Sequence, residues 1–200
     1  MNRENCTRIA DAISRNDNRG ACRVIDDVLT TETGAHWVRD LNKLKAFLLD
    51  GEPRFSIMAK DGNGKLPFLA FSSLPGANFC VGAGDCLSFC YSFKAWRYPA
   101  AFCRQAQNSA LLQSDSGRAC ILSAIDKFEP EFGEIDFRLY VDGDFTGVGD
   151  IAFWMEALTA RPWLITYGYS KSWQSFLDYT GTVPSNYRLN LSSGSKYSDG

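Results

Sequence analysis

The chain has 200 residues, of which 45% are hydrophobic and 22% are charged, a balance typical of a soluble globular protein with one well-packed domain. The formal net charge of −2 gives no support to a nucleic-acid-binding surface, because such surfaces show a basic excess. The single histidine, His36, excludes metal and catalytic sites that need several imidazoles, such as three-histidine zinc sites.

The N-terminal region is predicted to be helical. Residues 2–20 form an amphipathic pattern, residues 21–30 carry a second apolar face, and residues 37–48 repeat apolar side chains at three- and four-residue spacing. We expect residues 1–52 to pack as a helical cap on the rest of the chain.

A β-hairpin is predicted next. Its strands would be Arg54–Lys60 and Leu66–Ser73, and residues 61–64 have the glycines and the asparagine that a tight turn needs. The chain then passes through a loop that contains three cysteines. Two further helices are predicted over residues 99–113 and 119–128.

The second half of the chain alternates between strands and helices. Strands are predicted at 135–141, 163–169 and 187–191, and helices at 150–158 and 172–179. This alternation predicts an α/β domain over residues 53–200, with a mainly parallel sheet that is either open or closed into part of a barrel. Sheets of this kind carry their chemistry in the loops at the carboxyl ends of the strands.

Four such loops should therefore meet at one edge of the sheet. They are the cysteine loop, the acidic turn Asp142–Asp144, the aromatic and polar segment Tyr169–Ser172, and Ser192–Gly194. Carboxylates and a glycine at a strand end suit the binding of an amine, a hydroxyl group or a metal, although an isolated acidic turn is often only solvated.

The cysteine loop is the strongest chemical signal in the sequence. Five residues separate Cys80 from Cys86, and three separate Cys86 from Cys90. Thiolates hold soft metals, and three of them in one glycine-containing loop can reach three corners of an iron–sulfur cluster. The polar N-terminus and the lack of an apolar run of about 18 residues predict a cytoplasmic protein without a membrane partner, whose thiols stay reduced.

Two alternatives remain open for these cysteines. Cys103, which twelve residues separate from Cys90, could supply a fourth thiolate and complete a structural zinc site. Alternatively, the thiols could be free and buried. The spacing differs from that of paired zinc knuckles. Cys6, Cys22 and Cys120 lie in helical patterns and are predicted to be small core residues.

Several motifs together resemble the phage gene product 88 family. These motifs are Leu74–Pro75 followed by Cys80, Cys86 and Cys90–Tyr91, then Phe137–Phe145, Tyr167–Ser172 and Asn186–Ser192. The resemblance covers roughly residues 66–195. It implies kinship and no particular activity, and it would place the protein in the cytoplasm of the host.

The order of features also looks like the first half of a radical S-adenosylmethionine enzyme. That resemblance implies that Cys80, Cys86 and Cys90 hold a [4Fe–4S] cluster whose open iron binds S-adenosylmethionine. Gly143 and Asp144 would then seat the methionine amine. Four further residues would line the pocket: Lys171, Ser172, Asn190 and Ser192. The cysteine spacing is longer than in those enzymes, and there are fewer strand–helix units.

Two functional hypotheses follow. The first is an iron–sulfur protein related to radical S-adenosylmethionine enzymes, with a small-molecule cofactor and a nucleotide or a host or phage macromolecule as substrate. The second is a non-enzymatic phage accessory protein that is stapled by a cysteine-bound zinc ion and binds a host protein.

Overall fold

A computed structural model describes residues 1–60 and 68–197. The chain divides into two compact units. The first, here called the helical unit, comprises Met1–Ile57 and Tyr91–Ile121, and the second, the sheet unit, comprises Met58–Cys90 and Leu122–Gly200. The helical unit thus includes a segment that the sequence pattern assigns to the α/β domain. The packing of residues 1–52 as a cap stays a prediction.

The elements follow one another in an order close to the predicted one. The helices are α1 (Arg3–Ser14), α2 (Asn18–Leu29), α3 (Ala35–Asp50), α4 (Cys86–Phe89), α5 (Pro99–Leu111), α6 (Asp115–Asp126), α7 (Val148–Thr159) and α8 (Trp173–Asp178). The strands are β1 (Leu69–Ala70), β2 (Ile135–Leu139), β3 (Leu164–Ser170) and β4 (Tyr187–Leu191). A 3-10 helix, Tyr91–Arg97, joins α4 to α5. No described helix is both long enough and apolar enough to cross a membrane.

The first helix is shorter than predicted because the chain turns at Asn16. This residue adopts a positive φ of 56°, which a right-handed helix cannot accommodate. The side chain of Asp17 then accepts a hydrogen bond of 2.7 Å from the backbone N–H of Gly20 and so caps α2. The amphipathic pattern of residues 2–20 therefore covers one helix and the start of the next.

The first strand of the predicted hairpin is absent from the described residues. Instead, the side chain of Gln107 in α5 accepts hydrogen bonds from the backbone N–H groups of Arg54 and Phe55, at 2.7 and 3.0 Å. Asn108 donates to the carbonyl of Ile57 at 2.9 Å. Buried backbone groups need hydrogen-bond partners. Here the side-chain amides of Gln107 and Asn108 provide these partners, in place of the second strand of a hairpin.

A trace of the hairpin remains within the sheet unit, where Ala59 forms an isolated antiparallel bridge with Ala70. Of the predicted second strand, the described residues 68–73 form a strand only over Leu69–Ala70. The predicted turn at 61–64 lies outside the described residues.

The sheet confirms the α/β prediction. Over the described part of the chain it has four strands in the order β1-β2-β3-β4, and every neighbouring pair is parallel. Phe137 and Leu139 alternate into the core, as the period of a half-buried strand requires. Trp154 of α7 is fully buried and packs on Phe71 and Phe137, with ring centroids 5.0 and 6.0 Å apart.

The backbone pairing continues past the carboxyl ends of the strands. Ser73 donates its N–H to the carbonyl of Asp142 at 3.0 Å, next to the end of β2. Ser192 donates to the carbonyl of Ser170 at 2.9 Å, at the end of β3. All four strands run in one direction, so the loops that follow them leave from the same edge of the sheet.

Candidate functional site

The cysteine loop folds tightly after Leu74–Gly76. The N–H of Cys80 donates to the carbonyl of Gly76 at 2.8 Å, and the N–H of Ala83 donates to the carbonyl of Cys80 at 2.9 Å. Cys86 then begins the single turn of α4, and Cys90 is its C-terminal cap.

Two thiols of the cysteine loop, Cys80 and Cys86, have raised pKa values. Burial raises the pKa of the Cys80 thiol to about 12, with smaller contributions from the carboxylate of Asp144 and from Cys90 and Cys86. Burial also raises the pKa of Cys86, while the ammonium group of Lys171 acts to lower it. Cys80 therefore lies close enough to Cys86 and Cys90 for both to act on it. Even so, among the described residues no group of three or more histidine, cysteine, aspartate or glutamate side chains is arranged to hold a metal ion.

The raised pKa of Cys80 gives a direct prediction. At pH 8 in metal-free, reduced protein, we expect Cys80 to react with iodoacetamide about 1,000-fold more slowly than an ordinary thiol, because alkylation needs the thiolate. The rate should keep rising with pH up to about pH 12. Mass spectrometry of timed samples would measure it, with the half-buried Cys120 of α6 as an internal comparison. A rate for Cys80 equal to that of a free thiol at pH 8 would refute the assigned environment.

Cys103 has a different setting. It is fully buried in the helical unit, and burial raises its pKa well above the ordinary value, with Asp40 and Cys6 as further causes. Cys6 and Cys22 are buried core residues as predicted, whereas Cys120 is half-buried. The sheet unit has three cysteines in its sequence, and all three lie in the cysteine loop.

Asp144 joins the loop after β2 to the loop after β3. One carboxylate oxygen accepts from the Ser170 hydroxyl at 2.7 Å and from the N–H of Phe145 at 2.8 Å. The other accepts from the N–H of Lys171 at 2.7 Å. Burial raises the pKa of Asp144, and these three donors and the Lys171 ammonium partly offset that effect. Asp144 is thus a buried brace whose two oxygens already have partners.

Gly143 shapes the acidic turn. Its φ of +83° is one that residues with a Cβ rarely adopt, and a Cβ at this position would overlap the hydroxyl of Ser73. The turn begins early, because Tyr140 also has a positive φ, 56°, which ends β2 before the predicted residue 141. The Tyr140 hydroxyl donates to Asp150 at 2.7 Å and accepts from the indole N–H of Trp154 at 3.1 Å.

The other predicted cofactor-binding residues lie at the same edge of the sheet, and their side chains bond within the protein. The ammonium of Lys171 donates to the hydroxyl of Ser192 at 2.7 Å. Ser172 is fully buried and donates to the carbonyl of Phe145 at 2.8 Å. Asn190 donates to the carbonyl of Gly168 at 3.2 Å. The first two contacts join neighbouring loops, and the third joins β4 to β3.

Ser195 is a site residue that the sequence analysis missed. Its buried hydroxyl lies 3.0 Å from the carbonyl of Gly82 and 2.9 Å from that of Lys171. The sequence predicted that the cysteine loop and residues 192–194 lie near each other. It contained no pattern that singled out Ser195 within this region.

Three comparisons with known proteins bear on kinship. The model of the family described as Gene product 88 matches residues 42–199, which include the cysteine loop and the whole sheet. The chain belongs to the gene product 88 family. This match confirms the predicted kinship with that phage family and extends it into α3. The comparisons with curated proteins and with solved structures gave no match, and the resemblance to radical S-adenosylmethionine enzymes receives no support.

Proposed function

We propose that this member of the gene product 88 family binds an iron–sulfur cluster through Cys80, Cys86 and Cys90. The observation that carries the proposal is that three thiols lie in one loop, close enough for Cys86 and Cys90 to act on Cys80, and that backbone hydrogen bonds join this loop to residues 194–196. Thiolates are the usual ligands of such clusters, and the loop lies at the edge of the sheet where α/β proteins bind ligands.

The three thiolates of the cysteine loop suit a metal centre with three protein ligands better than a structural zinc site. A structural zinc site takes four protein ligands, whereas the cysteine loop offers three thiolates. A cluster held by three thiolates keeps one iron open to a further ligand. When bound, such a cluster supplies electron transfer or a Lewis-acidic iron.

Residues of this chain would prepare the thiols for the metal. Metal binding requires thiolates, so the raised pKa values of Cys80 and Cys86 make metal loading release protons and strengthen with rising pH. The ammonium of Lys171 favours the thiolate of Cys86. Burial, with a smaller contribution from Asp144, raises the pKa of Cys80 and so favours its protonated form in the absence of metal.

S-adenosylmethionine is the second ligand that we propose for the open position. The support is positional, because Asp144, Lys171 and Ser192 lie at the same edge as the cysteine loop and Lys171 affects the pKa of Cys86. Binding its amine and carboxylate groups would require some of the internal contacts of these residues to exchange for contacts with the ligand.

Anaerobic purification followed by reconstitution with iron and sulfide tests the proposal. The wild-type protein is expected to turn brown and to retain iron and acid-labile sulfide after gel filtration. Single substitutions Cys80→Ser, Cys86→Ser and Cys90→Ser should each lower bound iron by more than about tenfold. The control, Cys120→Ser, removes a thiol outside the loop and should leave the iron content unchanged.

Two results would count against the proposal. If the wild type stays colourless and retains one zinc ion that is lost with any of the three cysteines, the alternative of a zinc-stapled accessory protein is favoured. If the three substitutions behave like Cys120→Ser, the loop binds no metal. Equilibrium dialysis of S-adenosylmethionine against the reconstituted protein, and against the metal-free protein as control, tests the second ligand separately.

A further inference from the structure

We infer that Ser195 is a positioning residue that clamps the three-cysteine loop in the shape its metal centre needs. The inference deepens the proposed function and rests on it. Ser195 is 4% exposed, and its hydroxyl lies within hydrogen-bonding distance of the carbonyls of Gly82 and Lys171. One hydroxyl thereby links the peptide between the first two cysteines to the loop that follows β3.

The backbone on both sides of Ser195 strengthens this clamp. Ser195 forms an antiparallel bridge with Ala83. The N–H of Gly84 donates to the carbonyl of Gly194 at 3.0 Å, and the N–H of Lys196 donates to the carbonyl of Gly82 at 3.0 Å. Residues 194–196 therefore pair with the cysteine loop as a short strand would, although 113 positions separate Ser195 from Gly82 in the chain.

The approach of the two segments is close enough to exclude side chains. A Cβ at Gly82 would overlap the carbonyl oxygen of Lys171, and a Cβ at Gly84 would lie 2.8 Å from the backbone nitrogen of Lys196. A Cβ at Gly194 would lie 3.2 Å from that of Cys86. The cysteine loop is thus held between the loop after β3 and the segment after β4, with the ligand Cys86 at the contact.

The clamp also reaches Asp144. The N–H of Lys171 donates to the Asp144 carboxylate, and the carbonyl of the same residue lies next to the Ser195 hydroxyl. Removing the hydroxyl takes away the single O–H that the carbonyls of Gly82 and Lys171 share, and so loosens the attachment of the cysteine loop to the loop after β3. The backbone hydrogen bonds to residues 194–196 stay in place. Ser195 would therefore control the position of the thiols without touching the metal.

The test compares Ser195→Ala with Ser193→Ala, a control in the same segment at a position that is not buried. The first readout uses metal-free protein and measures the iodoacetamide labelling rates of Cys80 and Cys86 by mass spectrometry. We expect Ser195→Ala to raise these rates about tenfold and Ser193→Ala to leave them unchanged. The buried thiols Cys6 and Cys103 should stay unlabelled in both variants, which shows that the helical unit is folded. Unchanged circular dichroism of the variants shows the same for the chain as a whole.

The second readout is the rate at which a chelator removes iron from the reconstituted protein. Ser195→Ala should lose iron about tenfold faster than the wild type. Ser195→Thr keeps the hydroxyl and should restore labelling and iron retention most of the way to wild-type values. If Ser195→Thr behaves like Ser195→Ala in both measurements, the hydroxyl has no positioning role and the inference is wrong.

The outcomes separate the inference from the proposed function. Unchanged labelling and unchanged iron loss in Ser195→Ala, in a wild type that does bind iron, overturn the clamp and leave the metal site standing. Faster labelling in Ser195→Ala, in a wild type that binds no iron, supports the clamp and overturns the metal site.

Discussion

Replacing Trp154 with alanine is expected to lower the free energy of unfolding of the sheet unit by about 3–5 kcal/mol. The indole is fully buried and packs against Phe71, Phe137 and Phe153, so its removal leaves a cavity in the centre of the core. It also removes the N–H donor to the hydroxyl of Tyr140, the residue that turns the chain into the acidic loop.

Urea denaturation followed by far-ultraviolet circular dichroism would measure the change. Phe132→Ala is the control, because that ring is 87% exposed and its loss should change the free energy of unfolding by less than about 0.5 kcal/mol. Trp154→Phe keeps most of the packing and should fall between the two. Similar midpoints for Trp154→Ala and Phe132→Ala would mean that Trp154 is not at the centre of the core.

Replacing Gly82 with alanine is expected to cost about 1–3 kcal/mol or more, because the added methyl group overlaps the backbone carbonyl of Lys171. Backbone atoms cannot rotate aside as the end of a side chain can, so the cysteine loop must move. We therefore also expect Gly82→Ala to expose Cys80 and Cys86 to alkylation and to weaken iron retention.

Gly149→Ala is the matched control for this substitution. Gly149 lies in α7, and a Cβ at this position would meet no atom within 4 Å outside the backbone of its own helix. Because alanine favours helices, the substitution should be neutral or should stabilise by up to about 1 kcal/mol. The same denaturation and labelling measurements apply to both variants. Equal behaviour of Gly82→Ala and Gly149→Ala would contradict the close contact between the cysteine loop and the loop after β3.

The parallel sheet in the second half of the chain was predictable because the sequence patterns that indicate its strands and helices are local. Alternation of buried and exposed residues marked β2 and β3, and short helical patterns between the strands implied a parallel sheet. The predicted hairpin was wrong in its first strand for a non-local reason. The backbone of Arg54 and Phe55 bonds to the side chain of Gln107, more than fifty residues away, and no nearby sequence indicates that contact.

In the candidate site, too, local sequence signals were predictive and contacts between distant segments were not. The three cysteines and the acidic turn could be read directly, since residue type and spacing carry that chemistry. Ser195 could not, because its importance comes from the carbonyl of Gly82, which the fold brings to it. Trp96 is a further case: its ring is buried and its N–H donates to Gln105 at 3.0 Å, a contact that the sequence did not indicate.

The central claim is that Cys80, Cys86 and Cys90 bind one metal centre. Anomalous X-ray diffraction from crystals of the anaerobically reconstituted protein, recorded on both sides of the iron absorption edge, tests it most directly. We expect one compact anomalous peak in the cysteine loop, with iron within bonding distance of the sulfur of each of the three cysteines. A map without a peak in contact with these sulfurs, or with its only strong peak at another place in the protein, would contradict it.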